Sequence, residues 1–127
     1  MTRTSQPVPG APVPGGPYSA NSRIGRMVAI AGQCGYRPDR SLPDSLEEQV
    51  EIGLDNLSAA LTAAGVGESD VLSTQVYLAE PDDFAAMNAV YEQRFTDPLP
   101  PRTTIVAGLR PGVLFEINAL AVVPEED

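Results

Sequence analysis

Arg102 and Glu116 are the two side chains of this sequence best placed to do chemistry. Arg102 follows the rigid pair Pro100-Pro101 and opens a β-branched run, Thr103-Thr104-Ile105-Val106. Glu116 interrupts an otherwise apolar run from Phe115 to Val123. Read with period two, that run places Phe115, Ile117, Ala119, Ala121 and Val123 on one face, and Glu116, Asn118, Leu120 and Val122 on the other. A carboxylate sharing a face with Leu120 and Val122 is partly shielded from water, and a shielded charge needs a partner. Arg102 is the nearest candidate if the two runs belong to paired strands. One guanidinium with one shielded carboxylate makes a site for a small anionic substrate. The same two residues also make a structural ion pair, and the pattern alone leaves both open.

The rest of the inventory narrows the chemistry. All eight basic residues are arginine, histidine is absent, and Cys34 is the single cysteine. Without lysine there is no Schiff base and no P-loop. Without histidine there is no Ser-His triad, no Cys-His dyad and none of the usual zinc or non-haem iron sites. A lone cysteine forms no intrachain disulfide, which suits a reducing compartment. Hydrolysis by a carboxylate-activated water fits what remains. A carboxylate-only Mg²⁺ or Ca²⁺ site would need spacing of the DxDxDG kind, which is missing, so no metal site is expected. The formal net charge of −9 repels phosphate backbones and argues against a nucleic-acid partner. No apolar run reaches the length of a membrane span, and the N-terminus lacks the apolar core of a secretory signal. The expected location is the cytoplasm.

Elements that could position Arg102 and Glu116 follow from the punctuation of the chain. Residues 1–16, MTRTSQPVPGAPVPGG, read as a Pro/Gly-rich flexible tail, and residues 17–127 as a single domain, a length typical of one. Met27-Val28-Ala29-Ile30 reads as a strand, followed by a turn-rich loop from Gly35 to Asp44. Ser45-Leu46-Glu47-Glu48 is a capping box, and Leu46, Val50, Leu54, Leu57, Leu61 and Ala64 form a helical stripe that stops at Gly65. That stripe reads as core. Asp70 to Ala79 reads as a strand, and Pro81 to about Phe95 as a second helix with Phe84, Met87, Val90 and Tyr91 on its apolar face. Asn88 points towards that face and needs a hydrogen-bond partner. Strands at Thr103–Ala107 and Phe115–Val123 end the chain, with a turn at Pro111-Gly112. This order predicts an α+β fold, a mixed β-sheet with two helices on one face. The last strand is apolar on both sides while the helices cover only one. A further copy of the chain is the simplest cover for the other, so a homo-oligomer is expected.

The pieces, taken in order, resemble the Rid family of reactive intermediate imine deaminases, also called the YjgF family. They are Pro17-Tyr18-Ser19, Ala31-Gly32-Gln33, Gln49, Leu54-Asp55-Asn56-Leu57, Ala63-Ala64-Gly65, Asp70-Val71, Val76-Tyr77-Leu78, Phe84, Asn88, Val90-Tyr91 and Phe95. Pro101-Arg102-Thr103-Thr104 and Glu116 to Val122 complete them. The resemblance implies a chorismate-mutase-like protomer that forms a homotrimer with a cleft between each pair of subunits. It implies hydrolysis of small carboxylate-bearing imines or enamines, 2-imino and 2-enamino acids such as 2-aminoacrylate, to 2-keto acids and ammonia, with no metal or organic cofactor. Carried over by position, Arg102 grips the substrate carboxylate and Glu116 positions or activates the water. Tyr18 lines the cleft, Asn88 lies near the site, and Gly32 and Thr104 bring backbone groups to the ligand. Against these stand plainer readings: an interface plug for Tyr18, a structural hydrogen bond for Asn88, an ordinary strand residue for Thr104, a small buried hydrophobe for Cys34.

Two departures stand out. Ala31 occupies a position where the family often has serine, and Thr104 one where it often has cysteine. Neither change removes a hydrolysis that needs water and no thiol nucleophile. They leave room for a pathway-specific deaminase or hydrolase acting on a larger enamine or ring-derived acid, or for a non-catalytic trimeric module that binds small ligands. A ribonuclease role sits poorly with an acidic chain that lacks histidine and lysine.

Overall fold

The computed structural model describes residues 1–125. Glu126 and Asp127, read from the sequence as part of a solvated acidic end, lie outside the described residues. The longer helix starts at the expected cap. Ser45 is extended and its hydroxyl accepts the Glu48 backbone N–H at 3.2 Å, so helix α1 spans Leu46–Ala63. The reciprocal half of the box does not form among the described residues. The Glu48 carboxylate instead lies 3.9 Å from the Arg37 guanidinium. At the other end Gly65 takes φ 86°, the N–H of Val66 reaches the Leu61 carbonyl and that of Gly65 the Thr62 carbonyl. This closing turn needs a left-handed residue, which glycine supplies without steric cost.

Five strands form one mixed sheet: β1 (Asn21–Ile24), β2 (Met27–Cys34), β3 (Val71–Leu78), β4 (Arg102–Val106) and β5 (Phe115–Val122), in the order β1-β2-β5-β3-β4. The β3–β4 pair is parallel and the other three are antiparallel. Since β2 and β3 both run against β5, they are parallel to each other, and α1 makes the crossover between them. The second helix, α2 (Phe84–Tyr91), makes the crossover from β3 to β4. The α+β expectation with two helices on one face holds.

The core lies between the helices and one face of the sheet. Val28, Ile30, Val76, Leu78, Phe115, Ile117, Ala119 and Ala121 supply the sheet side. Leu46, Val50, Leu54, Leu57 and Leu61 of α1, with Met87 and Tyr91 of α2, supply the other. The alternation along β5 follows the period-two reading. The opposite face keeps Met27, Ile105 and Leu120 between 43% and 50% exposed, so one chain leaves it uncovered.

Three local differences from the sequence reading have physical causes. The second helix is shorter than expected. A 3₁₀ turn at Pro81–Asp83 precedes it and it ends at Tyr91, yet Phe95 is still buried, stacked on Tyr91 at 4.6 Å between ring centroids. β1 was hidden because Asn21-Ser22-Arg23-Ile24 has little apolar alternation. The Pro/Gly-rich segment, expected as a flexible tail over 1–16, is seated on the domain. Thr4 and Arg23 exchange backbone hydrogen bonds at 3.0 and 2.9 Å. Buried Asn21 accepts from the Gln6 N–H and donates to the Gln6 carbonyl. One buried amide thus pins a stretch that composition alone marks as solvated.

Candidate functional site

Glu116 lies half-buried on the sheet face away from the helices, in the row Cys34–Glu116–Tyr77–Ile105 across four strands. A register shift between Ile30 and Gln33 of β2 swings Ala31 and Gly32 past it. A Cβ built on Gly32 would overlap Glu116 Oε2 and stand 2.9 Å from its Cδ. Only glycine lets the carboxylate lie against that backbone. The Cys34 thiol donates to Glu116 Oε1 at 3.4 Å. Burial, then the Glu116 charge and this hydrogen bond, push the Cys34 thiol up to about 12. Cys34 is therefore a neutral donor at physiological pH, and the carboxylate keeps one oxygen held and the other facing the backbone of Gly32.

These groups wall a cavity of about 1000 Å³. Tyr18, Gly32, Cys34, Arg40, Arg110 and Glu116 all reach it, and its roof is the N-terminal segment from Ser5 to Gly15. The Tyr18 hydroxyl accepts the Gly15 N–H at 3.3 Å. Asn56 of α1 fixes the floor by donating to the carbonyls of Cys34 and Tyr36, each at 2.9 Å.

Arg102 sits elsewhere. Its guanidinium donates to Asn88 Oδ1 at 2.6 Å and lies 4.7 Å from the Tyr91 ring centroid and 5.7 Å from that of Phe84. Burial raises the Tyr91 phenol, while its hydrogen bond with Thr74 and the charge of Arg102 pull it back. Among the described residues no carboxylate lies within ion-pair distance of Arg102. It is a held, charged fork with donors to spare.

The structure therefore divides the six residues singled out from the sequence into two groups. Tyr18, Gly32 and Glu116 meet at the cavity. Arg102, Asn88 and Thr104 lie on the helix-covered side of the sheet, on and beside the edge strand β4. The pairing of Arg102 with Glu116 in one chain is corrected by the register. Tyr77 stands opposite both Glu116 and Ile105, whereas Arg102 stands opposite Thr74, three residues back along β3. An odd offset along a strand puts the two side chains on opposite faces. Asn88 meets the guanidinium of Arg102, where a backbone partner was the plainer expectation.

Sequence reasoning missed Cys34 and Arg110 as cleft residues. Cys34 lies two positions after Gly32, so the β2 pattern gave a signal for it. Arg110 sits in the turn before β5 and nothing in its spacing points at the cavity. No group of three or more potential metal ligands occurs among the described residues, and no helix among them is long and apolar enough to cross a membrane.

Comparisons with known proteins agree with this architecture. The sequence pattern of the family described as Endoribonuclease L-PSP matches residues 9–123. The 2-iminobutanoate/2-iminopropanoate deaminase of Mus musculus is 37% identical over 115 residues, covering 88% of this chain and 85% of the mouse protein. The protein of the same name from Escherichia coli K12 is 36% identical over 117 residues, covering 88% and 91%. Among solved structures, E. coli TdcF with bound serine superposes with a TM-score of 0.87 at 30% identity, covering 94% of this chain and 98% of TdcF. With most of its length matched, the chain belongs to the Endoribonuclease L-PSP family, the Rid or YjgF family that its motifs resemble.

Proposed function

We propose that this protein is an imine deaminase that hydrolyses 2-imino acids, and their 2-enamino tautomers such as 2-aminoacrylate, to 2-keto acids and ammonia. The observation that carries this reading is the half-buried Glu116 carboxylate on the wall of a cavity, held by a neutral thiol and pressed against the backbone of Gly32. The two relatives named as 2-iminobutanoate/2-iminopropanoate deaminases support the same chemistry.

The reaction asks little beyond positioning. A protonated imine carbon is already electrophilic, so the protein has to hold the substrate and aim a water. Glu116 takes a proton from that water as its oxygen bonds to C2. The proton then goes to the nitrogen, the C–N bond breaks, ammonia leaves and the carbonyl forms. An arginine fork suits the substrate carboxylate. Because Arg102 and Glu116 of one chain lie on opposite sheet faces, the guanidinium serving a given Glu116 comes from a neighbouring subunit. A homotrimer with one cleft per subunit pair meets that need and covers the apolar face around Met27, Ile105 and Leu120. Tyr18 closes the cleft from the N-terminal side, Asn88 fixes Arg102, and Thr104 shapes the strand edge beside it. Neither a metal nor an organic cofactor enters the scheme.

The test is direct. Imino acids are generated in situ by an amino-acid oxidase and residual imine is trapped with semicarbazide, for wild type, Arg102→Ala and Glu116→Gln. The reading expects trapped imine to fall with wild type and with neither variant. Imine decay no faster with wild type than in buffer would refute it.

A further inference from the structure

Building on the deaminase reading, we infer that Arg110 is a second anion anchor in the cleft, which fits the site to 2-imino acids whose side chain ends in a carboxylate, the imines of acidic amino acids. The charged residues lining the cavity are Arg40, Arg110 and Glu116. The cavity therefore carries two positive groups and one negative in a chain whose net charge is −9. Local sign opposite to that of the molecule draws an anion to this place.

The two arginines are not equivalent. Arg40 is occupied, because its Nη2 donates to the Val13 carbonyl at 2.6 Å and fastens the roof of the cavity. Among the described residues no carboxylate lies within ion-pair distance of Arg110, and its guanidinium makes no hydrogen bond. Its charge reaches the cleft interior, where it acts on Cys34 against the effects of burial and Glu116. Its position is also prepared. The Arg110 carbonyl accepts the Val113 N–H at 3.0 Å. Buried Gln49 clamps the same turn, donating to the Gly112 carbonyl and accepting the Leu114 N–H, both at 2.8 Å. The Nη1–Nη2 edge of the guanidinium faces Gly15, where a Cβ would stand 3.0 Å from Nη1, 3.3 Å from Nη2 and 3.6 Å from Cζ, so a bare glycine leaves the space before the fork open. A fixed turn and a bare glycine thus present an unpaired fork to the cavity that Glu116 lines. With the α-carboxylate taken by Arg102, a second fork suits a second carboxylate. The chemistry is unchanged: water adds at C2, the C–N bond breaks, ammonia leaves and a 2-keto diacid remains, with no oxidant or reductant involved.

The experiment compares 2-imino acids made in situ by oxidases acting on an acidic amino acid and on alanine, with wild type, Arg110→Ala and Arg110→Lys. The quantity read is the ratio of kcat/KM for the diacid to that for the neutral imine, taken on one preparation so that any inactive fraction cancels. The ratio is expected to favour the diacid in wild type and to drop roughly tenfold to a hundredfold in Arg110→Ala, the scale of a charge-assisted hydrogen bond. Arg110→Lys is expected to fall between, since it keeps the charge without the fork. A ratio that Arg110→Ala leaves unchanged would overturn the inference while the deaminase reading stands. Hydrolysis of neither imine by wild type would overturn both.

Discussion

At the scale of single residues, the cleft is built around keeping one carboxylate available. Gly32 leaves room for it and Cys34 donates a hydrogen bond to it. Gly32→Ala is therefore expected to cost far more activity than stability, because the new Cβ displaces the Glu116 carboxylate while the strand backbone persists. Imine hydrolysis and a thermal melt on the same sample check this, and loss of both in proportion would contradict it. The Cys34 thiol makes a second expectation. Its ordinary value of 9.0 is raised to about 12 in the folded protein. The folded state thus holds this proton more tightly than the unfolded chain. The associated stability is complete below about pH 9 and is lost as pH climbs towards about 12. Thiolate is then about a thousandfold scarcer than in an exposed cysteine at pH 8, so alkylation should be slow in the fold and fast after denaturation. Glu116→Gln removes the second-largest cause of the shift and should speed alkylation. An unchanged rate would mean that burial alone holds the thiol.

At the scale of elements, buried Gln49 does more than its place in an apolar helix stripe suggests. Its amide donates to the Pro43 and Gly112 carbonyls and accepts the Leu114 N–H. One side chain of α1 thereby ties the loop before the helix to the turn before β5. Gln49→Ala leaves one buried and two partly buried backbone groups without their partner and is expected to cost about 2 kcal/mol, read as a lower denaturation midpoint at constant m-value. Gly53 is the matching steric point, since a Cβ there would stand 2.9 Å from the Phe115 ring. Gly53→Ala should destabilise by about 1–3 kcal/mol through overpacking, although alanine is the better helix former. A stabilised Gly53→Ala protein would show that Phe115 can yield.

At the scale of the whole molecule, the separation of Arg102 from Glu116 makes a prediction that no single chain can satisfy. If each cleft takes Glu116 from one subunit and Arg102 from the next, then Arg102→Ala and Glu116→Gln proteins are inactive alone and complement each other when mixed. Random reassembly in a cyclic trimer should regenerate about a quarter of the wild-type clefts. Co-refolding the two variants and assaying imine hydrolysis checks this, and light scattering reports the subunit number. A mixture no more active than its components would place the whole site within one chain.

The sequence by itself determined the longer helix, four of the five strands and the two faces of β5, because apolar period, the Ser45 cap and the Gly65 stop are local signals that tertiary context reinforced. It also singled out Arg102 and Glu116 as candidates, since an arginine after two prolines and a carboxylate in an apolar strand break their surroundings. It hid β1 and the seating of the proline-rich segment, whose hold depends on Asn21, a polar residue that becomes buried only when its partners arrive. Only the tertiary structure decided which residues share a site. Pairing register is a long-range property, and one odd offset along β3 sends Arg102 and Glu116 to opposite faces of the sheet. For the same reason Arg110, unremarkable in its turn, stands beside the cavity that Glu116 lines.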